Sequence, residues 1–122
     1  MIALLAAAAL LAGEATPRQP VDVRAGGSDG LTQQLSEAMI QSLASASRMR
    51  ATNGDEDPTL ALVIVGNVEP AGSRFDYIVD LMRIDERARP ERLASMKGRC
   101  GESAIAACAA DIVAKANRKV KG

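Results

Sequence analysis

The sequence predicts an α+β fold, a two-layer sandwich in the order strand, helix, strand, strand, strand, helix, with a mixed four-stranded sheet and two helices on one face. Three observations lead there. A stretch of helical period, Leu31 to Met49, separates an alternating segment, Val21 to Ala25, from a continuously apolar one, Leu60 to Val65. Two extended segments follow at meander spacing, Arg74 to Asp85 and Arg92 to Cys100, and a second amphipathic stretch runs from Glu102 to Val120. A parallel crossover through the first helix, followed by a meander, puts both helices on the same side of the sheet.

Each element has its own local cause. Ile2 to Ala12 is an apolar run followed by the small-residue pattern Gly13-Glu14-Ala15 and by Pro17, which reads as a secretory signal peptide over residues 1–15. The run is shorter than the ~20 residues a membrane span requires. Leu11-Ala12-Gly13 is followed by Glu14 rather than cysteine, so no lipid can be attached there. The expectation is a periplasmic or secreted bacterial protein without a membrane anchor, with a flexible leader over 16–20 and a single domain over 21–122.

Val21-Asp22-Val23-Arg24-Ala25 alternates as a half-buried strand does, and Gly26 to Gly30 ends it with residues suited to turns and caps. Leu31, Leu35, Ala38, Met39, Leu43, Ala46 and Met49 recur at helical steps, with Ser28 or Asp29 as the expected cap. Leu60 to Val65 is β-branched and apolar throughout, as a strand covered on both faces would be. Glu69 to Ser73 reads as a turn. Beyond it, Phe75, Tyr77, Val79 and Leu81 form one apolar face, and Asp76, Ile78, Asp80, Met82 and Ile84 a mixed one. The last strand places Ala94, Met96, Gly98 and Cys100 on one side and Ser95, Lys97 and Arg99 on the other. Ile105, Cys108, Ala109, Ile112, Ala116 and Val120 define the stripe of the second helix, whose final turn gathers lysines and arginine where cations favour a helix C-terminus.

Composition removes whole classes of function. Fifteen basic residues balance fifteen acidic ones, which argues against nucleic acid as a partner. Phe75 and Tyr77 are the only aromatic residues, too few for stacking platforms or aromatic cages. The chain has no histidine, hence neither a Ser-His-Asp nor a Cys-His arrangement and none of the usual metal ligand. No catalytic residue, cofactor or metal site is expected.

The two cysteines, Cys100 and Cys108, have seven residues between them, unlike the CxxC of thiol oxidoreductases. In an oxidising compartment an even pair reads as a structural disulfide, with two buried thiols as the alternative. One cysteine sits on the small-residue side of a strand and the other on the buried stripe of the following helix, so both point to the same layer boundary.

Three segments carry a resemblance: the Leu31 to Met49 helix, Leu60 to Val68, and Tyr77 to Asp85. Their apolar pattern resembles a group of small periplasmic domains, comprising the amino-terminal domain of the Tol-system propeller protein, the curli-secretion lipoprotein and the activator lipoproteins of penicillin-binding proteins. The resemblance implies the same α/β sandwich and a role in docking to other envelope proteins. The chain departs from that group in lacking the lipid-bearing cysteine and in carrying the Cys100/Cys108 pair.

Four places suggest sites. Gly26 to Gly30 sits where a phosphate-cradling loop would, but its spacing fits neither GxGxxG nor GxxxxGK[ST], and a capped turn explains it. Asp55-Glu56-Asp57 lacks the alternating ligands of a calcium loop and reads as a solvated acidic turn. Asp76 and Asp80 are about 13 Å apart by strand rise, too far to act as a carboxyl pair. The fourth is the sheet face away from the helices, where Val63, Val65, Ile78, Met82 and Ile84 form an apolar patch rimmed by Asp76, Asp80, Lys97 and Arg99. The reading is an exported, non-enzymatic envelope protein that docks through a sheet face or edge to another envelope protein or to itself. A small-ligand protein, a subunit-interface enzyme and an inhibitor of an envelope enzyme are the alternatives.

Overall fold

The computed structural model describes residues 17–85, 87 and 89–120. The expected signal peptide lies outside the described residues. The elements are β1 (Gln19–Ala25), α1 (Gly30–Ser42), β2 (Met49–Ala51), β3 (Leu60–Ile64), β4 (Glu69–Ala71), β5 (Arg74–Arg83), β6 (Glu91–Gly101) and α2 (Ile105–Lys119), with single 3-10 turns at Leu43–Ser45 and Glu102–Ala104. The result is an α+β domain with a mixed sheet packed against two helices.

The sheet has six strands rather than four. Its order is β2-β1-β3-β5, with β5 flanked by β3 and β4 on one side and by β6 along its length on the other. β1 is parallel to β2 and β3, and the pairs around β5 are antiparallel. β1 begins at Gln19, inside the stretch read as leader, because Gln19 N–H donates to Arg48 O at 2.9 Å and Gln19 to Val21 run beside Met49 to Ala51. The segment read as a turn at Glu69 is β4 joined to β5 by Gly72-Ser73, with Gly72 at φ 69°, a conformation that glycine adopts without steric cost. Pro70 is tolerated there because β4 is an edge strand.

Helix α1 is shorter than its apolar period. Leu35, Met39 and Leu43 are fully buried at successive turns, but the helix ends at Ser42 and Ala46 is already extended, at φ −81° and ψ 142°. Asn117 accounts for the exit. Its Oδ1 accepts Arg48 N–H at 2.9 Å, its Nδ2 donates to Ser47 Oγ at 3.0 Å, and Arg48 Nη1 donates to Val120 O at 2.7 Å. The extended segment that follows the helix is thus anchored to the end of α2, where Asn117 satisfies the Arg48 amide and the Arg48 guanidinium satisfies the Val120 carbonyl. Met49, expected on the helix, is buried from β2 instead.

Alternation assigns the faces. Val21, Leu60, Leu62, Ile64, Phe75, Tyr77, Val79, Leu81, Met96 and Cys100 face α1 and α2 and are buried with Leu35, Met39, Ile112 and Ala116 in one core. Each large apolar side chain sealed in this way contributes roughly 1.5–3 kcal/mol. The intervening residues point to the opposite face, on which no helix lies among the described residues. β3 is therefore covered on both sides only in part: Ala61 is buried and Val63 half-buried, while Val65, just past its end, is exposed.

Candidate functional site

The open face is built by β3, β5 and β6. Register sets Ala61 beside Met82 and Val63 beside Asp80, and Val65 N–H donates to Ile78 O at 2.9 Å. Val65 and Ile78 are the most exposed large apolar residues of this face, at 45% and 38%; Val63 and Met82 are half-buried. Ile84 is half-buried at the far end of the sheet, where its N–H donates to Thr59 O at 2.9 Å. It borders an open depression of about 390 Å3 with Pro58, Thr59 and Arg87, so it stands apart from Val65 and Ile78.

Of the four charged residues expected as a rim, Asp76, Lys97 and Arg99 flank the patch, whereas Asp80 lies within it, between Ile78 and Met82 on β5 and beside Val63. Arg99 Nε donates to Asp76 Oδ1 at 2.8 Å, and this bond raises the Arg99 pKa. Asp80 is more enclosed; its Oδ2 lies 3.9 Å from Arg92 Nη1, while its buried Oδ1 has no hydrogen-bond partner among the described residues. A buried carboxylate oxygen without a donor is costly, which makes Asp80 the polar weak point of the face. The position of Arg92 was not legible in the sequence, because the bulge between Leu81 and Met82 shifts its register.

The other candidates resolve into structure. An added Cβ at Gly26 would stand 2.5 Å from Gly66 N, and the space beside Gly27 is taken by Asn67. Asn67 Oδ1 also accepts Asp29 N–H at 3.4 Å, so the loop before α1 is filled by the chain itself. Asp29 takes the cap position without bonding a helix amide through its side chain; its carboxylate accepts the hydroxyl of Thr32. In the acidic turn, both Glu56 oxygens accept from the Arg50 guanidinium, one of them at 2.7 Å, which holds the Glu56 carboxyl below its ordinary range. Among the described residues no three acidic or cysteine side chains group as a metal site.

Cys100 and Cys108 form a disulfide with Cα atoms 6.2 Å apart, joining β6 to α2. On the same flank of α2 lie Lys115 and Lys119, which with Arg118 overhang the outer edge of β6 and enclose a groove of about 390 Å3 against Ser95 and Lys97. Lys115 Nζ pairs with Asp111 at 2.9 Å, and its pKa is raised by that bond. The sequence carries a signal for this groove: residues 111, 115, 118 and 119 fall on one helix side at three- and four-residue steps.

Among the described residues no helix is long and apolar enough to cross a membrane. Compared with known proteins, the chain matches no family model and no curated protein sequence significantly.

Proposed function

We propose that this is an exported, non-enzymatic envelope protein of bacteria that acts by docking to another envelope protein through the uncovered side of its sheet. One observation carries the reading: both helices pack on one face, leaving Val65 and Ile78 exposed beside half-buried Val63 and Met82 on the other. Exposed apolar side chains bordered by an ion pair, Asp76 with Arg99, match the mixed apolar and polar make-up of a protein interface. The disulfide supports an oxidising compartment, and the likeness to periplasmic docking domains agrees with both.

The experiment compares Ile78→Asp with Leu62→Ala. Ile78→Asp should keep the wild-type melting temperature yet lose crosslinked partners from envelope extract and any self-association in sedimentation. Leu62→Ala, in the closed core, should lose about 2–5 kcal/mol of stability. If Ile78→Asp unfolds the protein, or leaves every association unchanged, the open face is not the working surface.

A further inference from the structure

Among the described residues, the outer edge of β6 presents unused backbone hydrogen-bonding groups. Glu102 N–H donates to Ser73 O at 2.9 Å, which makes Ser73 and Glu102 a hydrogen-bonded pair across β5 and β6. Because such pairs alternate along an antiparallel ladder, Cys100, Gly98 and Met96 turn their amides inward to Phe75, Tyr77 and Val79. Ser95, Lys97 and Arg99 then turn theirs outward. The bond from Val65 N–H to Ile78 O fits the same alternation, since it places Ile78 among the β5 residues that bond toward β3. β6 is eleven residues long and pairs with no strand other than β5 among the described residues, so its outer side is a long free edge.

Along the middle of this edge the charge has one sign. Ala94 to Arg99 contains Lys97 and Arg99 and no acidic residue. From α2, Lys115, Arg118 and Lys119 overhang the same stretch, and the disulfide at Cys108 ties their flank of the helix to β6. Asp111 offsets Lys115, and Asp76 offsets Arg99. Lys97, Arg118 and Lys119 make no ion pair among the described residues. An added strand would therefore have cations on both of its faces: Lys97 on the open side of the sheet, the α2 residues on the helix side.

We propose that the outer edge of β6 binds an extended acidic protein segment as an added strand, its main chain pairing with Ser95, Lys97 and Arg99 and its carboxylates meeting Lys97, Lys115, Arg118 and Lys119. A second copy of β6 is a poor occupant, because pairing two such edges sets lysines and arginines against one another. The same cations that prevent self-pairing select an acidic partner. This rests on the docking reading and gives the partner its chemistry.

The test is a titration of the isotope-labelled protein with an acetylated, amidated Thr-Glu repeat of eight residues, and with the Thr-Lys repeat as control. The expected result is binding of the acidic peptide alone, weakened by salt, with slowed hydrogen exchange at the amides of Ser95, Lys97 and Arg99. Ser95→Pro keeps every charge and removes one outward donor, and should abolish that protection. Lys115→Glu with Arg118→Glu should weaken binding by about tenfold, as removing exposed ion pairs of modest strength implies; these exposed positions keep the test open if the proline variant does not fold. No binding at millimolar peptide, binding without amide protection, equal binding of the basic peptide, or a dimer formed through β6 would each overturn the proposal. Ile78→Asp should bind the acidic peptide as the wild type does. If the peptide fails while capture of partners still depends on Ile78, the strand-addition proposal falls and the docking reading stands.

Discussion

Tyr77 and Gly98 are register partners on β5 and β6, and the phenol ring of Tyr77 occupies the space a side chain at Gly98 would need. A Cβ built on Gly98 would stand 2.7 Å from Tyr77 Cζ. The aromatic ring so covers a strand glycine that would otherwise leave the core thin near the edge. Burial also raises the Tyr77 pKa, against a lowering influence from Lys115.

Gly98→Ala should force the ring aside and cost about 1–3 kcal/mol, as overpacking does in a filled core. Urea denaturation measures it. An unchanged midpoint would show that the ring has room to move.

Thr32 is fully buried on α1, and its hydroxyl accepts Val68 N–H at 3.0 Å while donating to Asp29. Thr32→Val conserves the shape and strands that amide, at a cost of about 1–3 kcal/mol; Thr32→Ser should retain most of the stability. Two variants of equal stability would rule out the hydrogen bond as the cause.

The Cys100–Cys108 bond closes a short loop between β6 and α2. Its reduction should lower stability by about 2–3 kcal/mol through the unfolded chain's regained freedom. Thermal melts with and without reductant test this, and coincident melts would contradict it.

Glu56 is held below its ordinary pKa first of all by its hydrogen bonds to Arg50. A lowered folded-state pKa contributes stability that is present above the unfolded value, about 4.3, and is lost as pH falls through the folded one. Urea midpoints should therefore fall as acid is added below that value, and Arg50→Met should flatten this part of the curve. Parallel curves for the two proteins would assign acid sensitivity to other carboxylates.

Periodicity alone put most of the large core residues on the correct side of each element and brought both cysteines to one layer boundary. Leu35 and Met39 on one helix, Ile112 and Ala116 on the other, and the odd residues of Phe75 to Leu81 all lie where their spacing puts them, because one buried side per element is a local property. Alternation likewise put Lys97 and Arg99 on the side opposite Met96 and Cys100. The end of α1 was illegible for the same reason in reverse. Leu43, Ala46 and Met49 continue a helical spacing, yet an extended chain also buries Ala46 and Met49, and the choice falls to Asn117 and Val120, about seventy positions away.

What the sequence by itself determined is the apolar stripe of each element, the placing of both cysteines at one layer boundary and the two-sidedness of the sheet. Only the tertiary structure decided that six strands pair, that β6 is the long free edge among the described residues, and that the cations of α2 overhang it. The physical reason is range: side-chain burial repeats with the geometry of a single element, whereas a backbone amide is satisfied or left free by whichever distant strand the fold sets beside it.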